Sequence, residues 1–518
     1  MSQIKVTNLT FCYEGSVVPV FENVSFVLDT DWKLGFIGRN GKGKTTFLRL
    51  LAGGYSYRGR ISGKAVFDYF PYEVSKKQAG QCAWEFLEEL KPGCELWRVL
   101  RELERLDVEA ALLYRPFERL SFGEQTKVLL AVLFSGEQDF LLIDEPTNHL
   151  DEEARETVKR YLQGKKGFIL VSHDRDMLDA CVDHVLVLNR ESLEVQNGNF
   201  SSWWENKRRM DQFARAENEK HQREIAALKR AAEQSDRWAK QNESEKIGFD
   251  PGKEPDRFKG TRSYIGEKTR KLQARAKSFE RRMERELEKK EGLLKDLENP
   301  VDLKLMPLSF HRERLLFARD LCLKYPGQER AVLEGLSFEL LRGERVFLHG
   351  KNGCGKSTLL RAVLQAARTD ARGRVPAGDP AEEGPKLCDG SLQVASGLVI
   401  SYISQDTGML RGTLRQLCRR QELEESLLLA LLRQLDVERS QFEKPMEYFS
   451  EGQKKKVLIA ASLARPAHLY IWDEPLNFVD VFSRMQLETL LLKYTPTMLA
   501  VDHDARFRSN VATRIVEL

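Results

Sequence analysis

Four short motifs occur twice in this chain, in the same order both times. Gly38, Arg39, Asn40, Gly41, Lys42, Gly43, Lys44, Thr45 and Thr46 are matched by Gly350, Lys351, Asn352, Gly353, Cys354, Gly355, Lys356, Ser357 and Thr358. Leu120-Ser121-Phe122-Gly123-Glu124 returns as Phe449-Ser450-Glu451-Gly452-Gln453, Asp144-Glu145 as Asp473-Glu474, and His173-Asp174 as His503-Asp504. An ordered recurrence of this kind is a tandem duplication, so whatever fold one copy adopts the other must adopt too. The second copy is longer between its first two motifs. Its Gly-, Pro- and charge-rich stretch from Asp370 to Gly397 is expected to be an exposed loop.

The flanks of the motifs set the fold class. Leu34 to Ile37, Phe140 to Ile143 and Phe168 to Val171 are short apolar runs, with counterparts at Val346 to Leu348, Leu469 to Trp472 and Met498 to Val501. Runs of this length and composition read as buried parallel strands. Helical segments alternate with them, so each copy is expected to be an α/β domain with helices on a mainly parallel sheet. The 518 residues, at roughly 150 per domain, leave room for a third part.

That third part lies between the copies, from 205 to 307, and leaves 1–204 and 308–518 as the two repeated domains. Leu272, Ala276, Phe279, Met283, Leu287, Leu294 and Leu297 follow helical steps like a coiled-coil seam. An upstream helix carries Met210, Phe213, Ile225, Leu228 and Ala232, and is expected from about Lys207 to Glu245. Breakers from Gly248 to Gly266 separate the two, which predicts a long antiparallel helical hairpin with a tip loop near 246–266.

Composition excludes several classes. With 42% apolar and 31% charged residues the chain can build cores, which rules out wholesale disorder or a fibre. No run approaches the roughly 18 apolar residues of a membrane span, and mean hydropathy is −0.45. Met1 to Val6 alternates like a strand rather than a signal peptide, and eight scattered cysteines without a C-x-x-C pair argue against a disulfide or zinc framework. A soluble, cytoplasmic protein is expected.

The motifs carry phosphate chemistry. In Gly-x-x-x-x-Gly-Lys-[Ser/Thr] the glycines let backbone N–H groups converge on α/β-phosphates at a helix N-terminus. Lys44 and Lys356 would reach β/γ oxygens, while Thr45 and Ser357 would bind Mg²⁺. Asp144 and Asp473 end apolar strands where a carboxylate can ligate Mg²⁺. Glu145 and Glu474, one residue on, suit the activation of an attacking water, and His173 and His503 can hydrogen-bond a γ-phosphate. Ser121, Gly123 and Glu124, like Ser450, Gly452 and Gln453, satisfy a helix capping box. Their recurrence between phosphate loop and Asp-Glu strand also offers a second anion site, open to a nucleotide held by the other copy.

This motif set matches the ATP-binding cassette superfamily, and two cassettes joined by a helical linker without a membrane span resemble the ABC-F class. Asp31 to Gly41, Arg115 to Phe117, Gly198 to Ser201 and Tyr470 to Asn477 resemble the Lsa type of antibiotic-resistance ABC-F protein. The resemblance covers essentially the whole chain. It implies a head-to-tail sandwich of two ATPs, one site combining Lys44, Asp144, Glu145 and His173 with Ser450 and Gly452. The other would combine Lys356, Asp473, Glu474 and His503 with Ser121 and Gly123. Tyr13 and Tyr325 match the family's adenine-stacking position, although an aromatic there could equally pack an edge strand. Asp151 and Asp480 match the loop that communicates between sites. Gln405 matches the glutamine that reaches Mg²⁺ and water, but its counterpart is Tyr72. Phe122 and Glu451 replace a usual glycine. The two ATPase sites are therefore expected to be unequal, the one at Lys44 being the weaker.

The resemblance further implies a 70S ribosome partner, with the hairpin in the E site against 23S rRNA and the P-site tRNA, where it would displace a bound drug. No membrane and no obligate protein partner are implied. Between Ser201 and Pro300 there are 26 basic and 20 acidic residues, against 82 and 78 in the whole chain. Lys253, Arg257, Lys259, Arg262, Lys268, Arg270 and Lys271 accompany Phe249, Phe258 and Tyr264, a mix suited to phosphate contact and base stacking, with the tip itself sought between Phe249 and Phe258. A charged, solvated helix would have the same composition. A housekeeping ABC-F translation factor is the nearest alternative. A transporter's energy module would need separate membrane subunits. A DNA-maintenance ATPase would interrupt one cassette with its coil, whereas here Lys44 to Ser121 and Lys356 to Ser450 are short and uninterrupted.

Overall fold

A computed structural model describes residues 3–15, 19–136, 139–148, 150–188, 193–247, 305–328, 330–351, 353–368 and 384–518. Two compact units divide the chain, one formed by 1–203 with 301–518 and the other by 204–300.

Within the first unit each repeat carries two sheets. In the first repeat β1 (Gln3–Phe11), β2 (Phe21–Asp29), β3 (Lys33–Gly38), β4 (Arg58–Ser62), β5 (Val66–Phe70), β6 (Asp139–Asp144), β7 (Phe168–Val171), β8 (His184–Leu188) and β9 (Leu193–Asn197) follow in order. The main sheet runs β5-β6-β7-β3-β8-β9, parallel except for β9. The second repeat has β10 (Arg314–Lys324), β11 (Leu333–Leu341), β12 (Arg345–His349), β13 (Lys386–Val394), β14 (Ile400–Ile403), β15 (Leu469–Asp473), β16 (Met498–Val501) and β17 (Arg514–Glu517). Its main sheet, β14-β15-β16-β12-β17, is parallel throughout. The apolar runs read from the sequence are β3, β6, β7, β12, β15 and β16, and they are buried as parallel central strands require.

The second sheet of each repeat is antiparallel, β2-β1-β4 and β11-β10-β13. It corrects one expectation. The stretch from Asp370 to Gly397 is not all exposed loop, because Lys386–Val394 forms β13 against β10; residues 369–383 lie outside the described residues. The Asp389-Gly390 pair looks like turn chemistry but serves a bulge. Asp320 of β10 is left-handed at φ 46°, and a Cβ on Gly390 would come within 2.3 Å of its carbonyl. The first repeat has the same device, Asn8 at φ 51° facing Gly59.

The helix after each phosphate loop, Lys44–Leu51 and Lys356–Arg368, is anchored by its apolar face. Phe47 is fully buried among Phe21, Phe26 and Phe36, with ring centroids 5.4–5.8 Å apart. Burying such a ring contributes about 1.5–3 kcal/mol. It also fixes where the helix N-terminus points.

In the middle of the chain one helix runs from Phe200 to Ile247, 48 residues. It begins earlier than the expected Lys207. Asn199 accepts from the N–H of Ser202 through its side chain, and Phe200 and Trp203 are buried, so the first turn is a capped, packed turn rather than loop. The expected second helix of a hairpin, and the expected tip loop from 248 onward, lie outside the described residues.

Candidate functional site

The two phosphate loops are shaped alike. Gly43 and Gly355 are left-handed at φ 103° and 100°, and a Cβ on Gly43 would strike Val20 at 2.6 Å, so only glycine closes the loop there. Lys44 Nζ donates to the carbonyls of Gly38 (2.7 Å) and Arg39 (3.2 Å) and to Asn40 Oδ1 (3.2 Å). Lys356 Nζ donates to the carbonyls of Gly350 (2.7 Å) and Lys351 (2.8 Å). Each ammonium is thus curled over its loop. Asn352 lies outside the described residues.

The hydroxyls expected to bind a divalent cation sit against the strand-end carboxylates. Thr45 Oγ1 donates to Asp144 Oδ2 at 2.7 Å, and Ser357 Oγ to Asp473 Oδ1 at 3.1 Å. Burial pushes both carboxyls up, Asp473 to about 6. A hard cation would relieve that cost, and hydroxyl plus carboxylate is an oxygen donor set that suits Mg²⁺.

The neighbouring glutamates differ. Both are left-handed, Glu145 at φ 50° and Glu474 at φ 48°, a conformation that costs energy and concentrates at functional sites. Glu474 Oε2 accepts from Gln405 Nε2 (2.9 Å) and Asn477 Nδ2 (2.7 Å), and Oε1 lies 3.2 Å from His503 Nε2. Burial raises its carboxyl, but the His503 bond, the Lys455 charge and the Gln405 bond outweigh burial and hold it below the ordinary value. Glu145 accepts from the His173 N–H at 3.3 Å, while His173 Nε2, 3.2 Å from Oε1, lacks hydrogen-bond alignment. Burial and the Asp144 charge push Glu145 up to about 8. Tyr72 donates to Asp68 Oδ2 at 2.6 Å, within its own strand and loop, and Tyr69 donates to Asp144 Oδ2 at 3.2 Å.

The repeats face each other across both loops. Phe122, beside Ser121, lines a cavity of about 380 Å³ together with Gly353, Gly355, Lys356, Ser357, Thr358, Gln405, Glu474, Asn477, His503 and Arg155. At the other loop Asn40 Nδ2 donates to the Phe478 carbonyl at 2.7 Å, and a Cβ on Gly452 would lie 3.1 Å from that same Asn40 nitrogen. Both capping boxes form: Ser121 with Glu124, and Ser450 with Gln453. Glu451 accepts from Thr407 and Lys454, whereas Phe122 is 70% exposed. Asp151 and Asp480 cap the helices Glu152–Gln163 and Val481–Tyr494.

Three loop residues use their side chains elsewhere. Arg39 pairs with Asp436, Lys42 with Glu438 and Lys351 with Glu153, each at 3.0 Å and each across the repeats. Their backbone N–H groups are what they can offer a phosphate. Tyr13 and Tyr325 stand beside the loop helices, their hydroxyls 2.6 and 3.4 Å from Thr46 and Thr358. Tyr13 also packs edge-on against Phe11 and Tyr55.

Motif reading missed several groups. Arg155 donates to the His503 carbonyl at 3.0 Å, Arg175 forms a buried fork with Glu488 across the repeats, and Asn477 braces Glu474. Arg155 and Arg175 meet groups of the opposite copy, which only the juxtaposition reveals, whereas Asn477 stands three residues after Glu474 in its own copy.

The family model described as ABC transporter matches residues 21–148 and 333–477. The chain is 28% identical over 509 residues to the ribosome protection protein VmlR of Bacillus subtilis (strain 168), covering 97% of this chain and 84% of that one. It is 23% identical to ABC transporter F family member 5 of Arabidopsis thaliana, covering 100% of this chain and 75% of that one. Among solved structures, archaeal ribosome recycling factor aABCE1, in complex with the stalk protein aP1, superposes with TM-score 0.60 at 18% identity. It covers 98% of this chain and 87% of that one, a likeness of fold. Among the described residues no helix is long and apolar enough to cross a membrane.

Proposed function

The chain belongs to the ABC transporter family, of the ABC-F type, and on that premise we propose that it protects ribosomes from drugs bound at the peptidyl-transferase centre. Its two cassettes make it an ATPase. The observation that carries the reading is the likeness to a ribosome protection protein along 97% of the chain. The basic excess between Ser201 and Pro300 supports an RNA contact for the joining segment.

The chemistry assigned to the site is ATP hydrolysis. Backbone N–H groups of Gly41 to Lys44 and of Gly353 to Lys356 bind phosphates, and the two lysines swing from their carbonyls to β/γ oxygens. Thr45 with Asp144, and Ser357 with Asp473 and Gln405, would hold Mg²⁺, which neutralises phosphate charge. At the second site the oxygen of a water bonds to the γ-phosphorus, the bond to the β-phosphate oxygen breaks, and Glu474 takes the water's proton. His503 orients that carboxylate and the γ-phosphate. At the first site burial and the Asp144 charge raise the Glu145 carboxyl and Tyr72 supplies no amide, so that site is the poorer one for cleavage. Ser121 with Gly123 and Ser450 with Gly452 present helix N-termini to the opposite γ-phosphate.

ATP then holds the cassettes together, and cleavage lets them part. In this reading the joining segment enters the ribosomal E site, against 23S rRNA and the P-site tRNA, with its tip displacing drug. A susceptibility panel of lincosamide, pleuromutilin and streptogramin A in a sensitive host tests it. Raised inhibitory concentrations on expression are expected, and an unchanged panel would contradict the reading.

A further inference from the structure

Three consecutive lysines follow the second signature motif, and each has a different partner. Lys454 donates to Glu451, and Lys456, 1% exposed, pairs with Asp480 at 2.6 Å. Lys455 is unlike both. It is 2% exposed, and its ammonium donates to three main-chain carbonyls: Ser404 (3.2 Å), Gln405 (2.9 Å) and Glu474 (3.1 Å). A buried ammonium has three donors to satisfy, and here every one meets a carbonyl.

Those carbonyls belong to two separate segments. Ser404 and Gln405 lie on the loop after β14, and Glu474 lies at the end of β15 in a left-handed conformation. Lys455 therefore fastens the loop to the strand from behind. In front, the Gln405 amide meets the Glu474 carboxylate at 2.9 Å. We propose that Lys455 is a positioning residue for hydrolysis at the second site, holding the backbones of Gln405 and Glu474 in register so that amide and carboxylate converge on one water. The proposal rests on the reading of Glu474 as the base.

The first cassette supplies the contrast. Thr126 stands where Lys455 does, relative to Ser121 and Ser450, and a threonine is too short to bridge two backbones in this way. There the loop residue Tyr72 bonds Asp68 of its own strand. The lysine accompanies the glutamine in one copy, and both are missing from the other.

The test uses the full chain in an E145Q background, so that turnover reports the second site. K455M keeps the aliphatic stem and removes the ammonium; K455R keeps a cation that can donate to the same carbonyls. Small misplacements of reacting groups cost up to about a hundredfold. K455M is expected to lower kcat by roughly tenfold or more with KM for ATP within about twofold, and K455R to recover much of the loss. Binding of a fluorescent ATP analogue, retained in K455M, marks a folded site. Unchanged kcat in K455M, a loss confined to KM, or an equal loss in K455R would overturn the proposal. E474Q is the separate control. If E474Q keeps wild-type turnover, the base assignment fails; if E474Q loses turnover and K455M does not, only the Lys455 proposal fails.

Discussion

Arg506 of the second cassette donates a 2.8 Å hydrogen bond to Asp179 of the first, and Asp179 holds the first turn of the long helix. Asp179 accepts from the Ser201 N–H (2.7 Å) and hydroxyl (2.5 Å), and Arg506 also reaches Ser201 Oγ at 3.3 Å. Arg506 stands three residues beyond His503, so parting of the cassettes at that site would pull on the helix start. Hydrogen bonds to charged groups contribute about 1.5–3 kcal/mol. R506A should raise amide exchange at Ser201 and Trp203 on the order of tenfold while ATP binding persists; unchanged exchange there would show that the clasp does not hold the turn.

The buried pair of Arg175 and Glu488 crosses the same interface, and Asn510 Nδ2 also donates to Glu488 at 3.3 Å. Removing one partner strands a buried charge, at a cost of roughly 3–5 kcal/mol, whereas replacing both with apolar residues is far milder. R175A should lower the melting temperature clearly, and R175M with E488M should recover most of the loss. A double variant as unstable as R175A would contradict that account of the pair.

Glu145 gives a pH signature. Burial, reinforced by Asp144, raises its carboxyl from 4.5 to about 8. Between those values the folded chain keeps a proton that the unfolded chain has released. Its contribution to stability is therefore full below the unfolded value and is lost as pH rises through the folded one. Gln at this position carries no such slope. Nucleotide-free E145Q should gain melting temperature over the parent between about pH 5 and about pH 8, by a few degrees at the upper end, and the difference should level off above that. A parallel pair of curves would remove the raised carboxyl from the account.

The unequal glutamates also predict unequal kinetics. Glu474 is braced by Gln405, Asn477 and His503, which with Lys455 hold its carboxyl below the ordinary value, whereas burial and Asp144 raise that of Glu145. E474Q should reduce ATP turnover on the order of a hundredfold, as loss of a general base does, and E145Q much less. Equal losses in steady-state assays would erase the asymmetry.

Much of the fold is legible in the sequence, because parallel central strands are buried on both faces and spell themselves as apolar runs. β13 could not. Its Asp389-Gly390 reads as a turn, and the need for glycine comes from a bulge in β10, dozens of residues away. The site divides the same way. Lys44, Thr45, Asp144 and Glu145 announce themselves by spacing along one copy. Lys455, Arg175 and Arg155 do not, because their partners are backbone carbonyls or groups of the opposite cassette, and neither leaves a local pattern.

The central claim is that ATP drives this chain onto ribosomes through its two composite sites. The most direct measurement is co-sedimentation of the E145Q, E474Q double variant with 70S ribosomes. The account predicts that the variant pellets with ribosomes in ATP and stays in the supernatant without nucleotide. Its absence from the ribosomal pellet in ATP would contradict the claim.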